Sequence, residues 1–151
     1  MELKINIGDP KSKKTYKKEL SGDDAKLLLG KKIGDEIKGE LLNLKGYTLV
    51  IMGGSDDAGF PMRKSVHGSG RKKLFIGKSV GYRNLIVKKK GEKKLKAKFD
   101  GIKVRKTVAG NEIHEKTVQL NLKVSKAGTP ALSKIFEAPK EEKPEDGQTS
   151  E

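Results

Sequence analysis

Between Gly59 and Lys106 cations and glycines are interleaved in a pattern that suits one chemistry above others, the neutralisation of phosphate. Arg63, Lys64, Arg71, Lys72, Lys73, Lys78 and Arg83 are interspersed with Gly59, Gly68, Gly70, Gly77 and Gly81. Glycine lets a backbone come close to a phosphate while neighbouring side chains carry the compensating charge. A second run follows, with Lys88, Lys89, Lys90, Lys93, Lys94, Lys96 and Lys98, then Lys103, Arg105 and Lys106. With strand alternation, Lys96, Lys98, Lys103 and Arg105 would decorate one exposed sheet surface. Lysine outnumbers arginine, which suits recognition of a backbone's shape and charge more than bidentate reading of base edges.

Other chemistries fit these residues less well. Gly77-Lys78-Ser79 copies the end of a phosphate-binding loop, but that motif needs a glycine at position 72, where lysine stands, so a basic turn is expected. Asp56 and Asp57 are adjacent, which on a strand sends them to opposite faces, and no third acid is near to complete an acid–base pair. Asp56 is expected instead to brace its loop by accepting backbone hydrogen bonds. His67 and His114 are too far apart for a local metal motif, and the chain has no cysteine. No catalytic residue, metal or cofactor is expected, and the imidazoles are read as solvated or RNA-facing. Of the aromatic residues Tyr16, Tyr47, Tyr82, Phe60, Phe75, Phe99 and Phe136, most fit core positions, and only Tyr82 and Phe60 stand where a base or sugar could meet them, with core packing at least an equal alternative for each.

The charge of the whole chain agrees. Lysine and arginine number 34 against 20 acidic residues, a net charge of +14. Residues 137–151 carry six acids and two lysines, a net −4, so the body is +18 and should bind a polyanion with steep salt dependence. An acidic tail of this kind could screen the basic face until RNA arrives. With no cysteine, disulfides and thiol chemistry are excluded. No apolar run approaches the roughly 20 residues needed to span a bilayer, and the lysines fall in strand-like and glycine-rich segments, not on an amphipathic helix. A cytoplasmic protein without a membrane partner or small-molecule substrate is expected.

The elements that must position these cations are mainly strands. Leu3, Ile5 and Ile7 alternate with Lys4 and Asn6, Tyr47, Leu49 and Ile51 alternate, and Leu95, Ala97 and Phe99 alternate with Lys96 and Lys98. Ile102, Val104, Lys106 and Val108 follow Asp100-Gly101, a hairpin dipeptide, which predicts pairing with the strand before it. Val118, Leu120, Leu122 and Val124 are expected on one face, with Thr117, Gln119, Asn121 and Lys123 on the other. Short helices are expected after a capping box at Ser21 and Asp24, running from Ala25 to Leu29, and after Thr129-Pro130, with Leu132, Ile135 and Phe136 facing the body. The fold class is mainly β, a small barrel-like antiparallel sheet with one or two short helices. Residues 1–136 form the basic domain, and 137–151 a disordered acidic tail.

An apolar strand ends in Ile51-Met52-Gly53-Gly54-Ser55-Asp56-Asp57-Ala58-Gly59-Phe60-Pro61-Met62, dense in residues with special backbones. Gly53, Gly54, Asp56, Gly59, Pro61 and Met62 match the signature of the archaeal and eukaryotic small-subunit ribosomal protein S-six family, which this segment closely resembles. The resemblance includes Lys45-Gly46-Tyr47 and the stretch ending near Arg83, and extends more weakly over about the first 130 residues. It implies a structural protein near the foot of the small subunit, with small-subunit ribosomal RNA and neighbouring ribosomal proteins as partners and a role in assembly and translation. Eukaryotic members continue into a long basic helical extension with phosphorylated serines, so the short form here resembles the archaeal one. The alternative from another class is a free RNA chaperone or translational regulator with the same charge pattern. An enzyme acting on nucleic acid would need acids or histidines clustered in the basic face, where they are scattered.

Overall fold

The computed structural model describes residues 2–83, 85–90, 93–98 and 101–136. The tail expected from residue 137, Phe99 and Asp100 lie outside the described residues. β1 (Glu2–Asp9) buries Leu3, Ile5 and Ile7 completely and turns their alternates outward. Its turn is fastened by Asp9, whose carboxylate accepts from Lys11 N at 2.9 Å and Ser12 Oγ at 2.8 Å. The backbone donor at Lys11 is the main reason the Asp9 carboxyl titrates below its usual range. β2 (Lys14–Ser21) then pairs antiparallel with β1.

The capping box does not form. Ser21 is held in the ladder opposite Glu2, so Gly22 takes the N-cap position without a side-chain cap, and α1 (Asp23–Lys26) is a single turn that buries Ala25. β3 (Glu36–Lys38) and a 3₁₀ turn (Gly39–Leu42) lead to β4 (Thr48–Asp56). The last strand, β9 (Thr117–Lys126), enters between β1 and β4, parallel to the first and antiparallel to the second. The five-stranded order is β2-β1-β9-β4-β3.

This sheet is open and does not close into the expected barrel. Its edges need no closure, because β2 carries Lys14, Lys17 and Lys18 and β3 is only three residues long with Glu36 and Lys38 exposed. Short, charged edge strands resist further pairing by themselves. One face packs the main core, with Tyr16, Leu20, Ile37, Leu49, Ile51, Leu120, Leu122 and Val124 joined by Leu28, Leu42 and Leu44.

The alternation expected along β9 fails at its start. Ser55 opposes Gln119 but Asp56 opposes Thr117, so one extra residue, Val118, bulges out. Thr117 is thereby buried and Val118 exposed, since an inserted residue reverses the parity of a strand. A second register shift leaves Met52 unpaired between the pairs Ile51–Leu122 and Gly53–Asn121, and Met52, on the outward side of the alternation that buries Leu49 and Ile51, is 57% exposed.

The remaining strands form two ribbons. β5 (Lys72–Ile76) pairs antiparallel with β8 (Val104–Val108), and β6 (Leu85–Lys90) with β7 (Lys93–Lys98). The hairpin expected across Asp100-Gly101 is therefore not made. β7 pairs with β6, with Lys90 opposite Lys93 and only two residues between them, while β8 finds its partner in β5. β8 instead brings Val108 against Ile76 and Val66 in a second small core, with Leu74 and Tyr82 packed on it. α2 (Leu132–Phe136) begins two residues after Pro130, whose carbonyl accepts from Tyr47 OH at 2.8 Å. Leu132 is buried, Ile135 and Phe136 pack on the core, and the Phe136 ring stacks on Tyr16 with centroids 5.1 Å apart. Among the described residues no helix is long and apolar enough to cross a membrane, and no group of three acids, histidines or cysteines could hold a metal.

Candidate nucleic-acid interface

The glycine pair lies near the end of β4, opposite Asn121 and Leu120 of β9. A Cβ on Gly54 would sit 2.3 Å from the carbonyl oxygen of Gln119 and 3.1 Å from Met62 Sδ, so only hydrogen fits there. Past it, the buried Asp56 reverses the chain. Its Oδ1 accepts from Phe60 N at 2.7 Å, and its backbone pairs with Phe60 O at 3.1 Å and Gly59 N at 3.0 Å. Gly59 closes this turn at φ +78°, a conformation that costs L side chains strain. Pro61 then bridges to Ser55, and the buried Met62 donates its N–H to Gly54 O at 2.9 Å.

The loop also ties the large sheet to the β5–β8 ribbon. Ala109 N donates to Pro61 O at 2.9 Å, and Arg63 N to Ala109 O at 3.2 Å. Gly53, Gly54, Asp56, Gly59, Pro61 and Met62 are thus gathered into one brace. They fix the direction in which the basic segment leaves the sheet.

The two arginines nearest this brace are partly consumed by it. Arg71 donates from Nε to Asp56 Oδ2 at 2.5 Å and from Nη2 to Asp57 Oδ1, and its guanidinium lies 5.2 Å from the Phe60 ring centroid. The Asp56 hydrogen bond is the first cause that raises the guanidinium's pKa above its already high ordinary value. Arg63 donates to Ser65 Oγ and Ser79 Oγ, each at 2.9 Å, and to Val80 O at 3.1 Å. It pins the turn in which Ser79 and Tyr82 exchange backbone hydrogen bonds, the basic turn expected at Gly77-Lys78-Ser79.

Asn111 is a structural support of the basic loop that sequence reasoning missed. Buried to 6% exposure, it accepts at Oδ1 from Gly68 N at 3.2 Å, and its backbone N–H donates to Val66 O at 2.8 Å. It holds the loop that carries Lys64 and His67 from a partner 43 residues away, so no local signal could have disclosed it. His114 faces Thr117 Oγ1, 3.1 Å from its Nδ1, while His67 is exposed.

Lys64, Lys72, Lys73, Lys78, Arg83, Lys103 and Arg105 are exposed, and among the described residues they form no salt bridge. A depression of about 300 Å³ lined by Ser69, Gly70, Arg71, His114 and Lys116 adds further cations. Lys96 and Lys98 do not share a sheet with Lys103 and Arg105. They pair across β6–β7 with Val87 and Leu85, where Lys88, Lys89 and Lys90 also lie, whereas Arg105 stands opposite Phe75 on β5–β8. Phe75 itself is 68% exposed, contrary to the core position expected of it, and Phe60 is half-buried beneath Arg71. The described surface sets glycine turns bearing exposed cations beside the β5–β8 ribbon, an arrangement whose charge suits phosphates, and among the described residues no group of three acids, histidines or cysteines accompanies it.

Comparison with known proteins gives a consistent outcome. The family model described as "Ribosomal protein S6e" matches residues 3–137. The protein "Small ribosomal subunit protein eS6" of Methanosphaera stadtmanae is 44% identical over 131 residues, covering 87% of this chain and 91% of its own. Its namesakes from Methanoculleus marisnigri and Archaeoglobus fulgidus are 36% and 38% identical, covering 91% and 93% of this chain and 95% and 100% of theirs.

Proposed function

The chain belongs to the ribosomal protein S6e family, and from that premise we propose that it binds folded small-subunit ribosomal RNA through its glycine-basic segment and supports subunit assembly. It is a ribosomal protein of the small subunit and not an enzyme. The observation that carries the RNA reading is the set of exposed cations without ionic partners among the described residues, carried on the β5–β8 ribbon and on turns that Asp56, Arg71, Arg63 and Asn111 fasten. A backbone already fastened needs little further ordering when its cations meet phosphates, and each phosphate neutralised releases about one condensed counterion. The mechanism is electrostatic and steric: one arrangement of the RNA backbone fits the turns and ribbons, and binding stabilises that arrangement. Partners are then ribosomal RNA and neighbouring ribosomal proteins, in the cytoplasm.

Sedimentation of tagged protein from native extract, at low and high salt, tests this reading. Salt-resistant, near-stoichiometric migration with the small subunit is expected. Migration with free RNA, or trace association that salt removes, would favour a free RNA chaperone instead.

A further inference from the structure

We propose that Phe75 is a stacking platform for an unpaired nucleotide of RNA, with Lys73 and Arg105 beside it to meet the adjoining phosphates. This deepens the RNA-binding reading and rests on it.

The β5–β8 ribbon has two unlike faces. Leu74, Ile76, Val104 and Val108 turn inward, the most buried of them being Ile76 and Val108. Lys73, Phe75, Arg105 and Thr107 turn outward, with Phe75 directly opposite Arg105 and Lys73 opposite Thr107. Burial contributes little for an aromatic ring on the outer face, where Phe75 is 68% exposed. The other aromatic residues among those described are engaged: Tyr16 stacks on Phe136, Tyr47 is buried, Phe60 lies under Arg71, and Tyr82 packs on the small core.

The neighbours select the occupant. Residues two apart on a strand share a face at a spacing of about 7 Å, and directly opposed residues across the ribbon stand about 5 Å apart. The ring is therefore bracketed by Lys73 along the strand and Arg105 across it. An apolar protein side chain set on this ring would bring no charge to those cations. A nucleotide brings a flat apolar base for the ring and phosphates for the cations, and any base can stack. Duplex RNA hides its base faces, so the platform selects unpaired RNA.

The chain has no tryptophan, so Phe75→Trp provides a single fluorescent reporter at the site. The full chain and its Phe75→Trp and Phe75→Leu variants are titrated with single-stranded oligoadenylate and with an RNA duplex of equal length. Oligoadenylate should quench the tryptophan and the duplex should not. Phe75→Leu should weaken oligoadenylate binding by about 5- to 100-fold while duplex affinity stays within about two-fold. An unquenched tryptophan together with equal oligoadenylate affinities would overturn the proposal. So would unchanged RNA affinity accompanied by poorer incorporation into subunits, which would put a protein against the ring. Failure of the unaltered chain to bind either RNA would instead overturn the RNA-binding reading beneath it.

Discussion

Gly54→Ala isolates the seam on which the interface is hung. The added methyl would lie 2.3 Å from Gln119 O, about 1 Å inside ordinary contact, and 3.1 Å from Met62 Sδ. Met62 can shift its flexible side chain, but the Gln119 carbonyl belongs to β9 and yields only if β4 and β9 part where Gly54 opposes Leu120. Overpacking against backbone of this kind costs about 3 kcal/mol, the upper part of the usual range. Gly59→Ala makes the contrast. Its φ of +78° imposes strain of about 1 kcal/mol, yet nothing lies within 4 Å of its Cβ. Neither change touches a cation. Urea unfolding of the two variants beside the unaltered chain should place Gly54→Ala about 2 kcal/mol below Gly59→Ala, and thermal melts should separate them by about 4–8 °C. Equal losses, or a tolerated Gly54→Ala, would refute the claim that close approach of β4 and β9 is why this glycine is needed.

Lys64→Ala and Lys73→Ala should each lower the slope of log affinity for RNA against log salt by about 0.9, whereas Arg71→Gln, whose charge is offset by Asp56 and Asp57, should lower it less and cost stability instead. Asn111→Ala should destabilise by about 1–2 kcal/mol in urea and speed amide exchange in the loop at Gly68, because the Gly68 N–H loses its acceptor. Burial raises the phenol pKa of Tyr47 above its ordinary value, so the stability it contributes is complete below about pH 10 and is lost as pH rises beyond that. Thermal melts of Tyr47→Phe should start lower at neutral pH, through loss of the Pro130 hydrogen bond, but fall less steeply in alkali. Removing residues 138–151 should raise nonspecific RNA affinity at low salt, and filter-binding titrations would show it.

How much of this was legible depended on how local the cause was. The inward faces of β1 and of Leu120, Leu122 and Val124 follow from period-two alternation, and the structure keeps them. Alternation broke at Val118 because a bulge depends on the partner strand, and that partner, β4, lies far away in sequence. The Asp100-Gly101 signal misled for a related reason: a turn dipeptide states where the chain can reverse, not which strand is free to pair. The segment ahead of it pairs with β6 and the segment after it with β5, which lies about 30 residues earlier in the chain. In the basic region the sequence distinguished cations from neutral residues, but not exposed cations from engaged ones. Arg71 reads like Lys72 and Lys73 until Asp56 and Asp57, 15 and 14 residues away, are seen to hold it.

The β6–β7 ribbon turns that distinction into a test of what the lysines are for. Its register sets Lys89 opposite Lys94 and Lys90 opposite Lys93. Like charges directly opposed on an antiparallel pair destabilise it by up to about 1 kcal/mol each, and a two-stranded ribbon is marginal by itself. Folding alone would not select this arrangement, but a polyanion laid along it would reverse the sign of the electrostatic term. Hydrogen exchange of the Leu85–Lys98 amides should therefore slow with added salt, which screens the repulsion, and slow further with RNA. Lys94→Glu places an opposite charge across from Lys89. It should slow exchange in the RNA-free protein while weakening RNA binding, two effects of opposite sign from one substitution. If the variant slowed exchange and kept full RNA affinity, the lysines of this ribbon would not contact RNA. If exchange were unchanged by salt, RNA and the variant alike, the repulsion inferred from the register would be negligible.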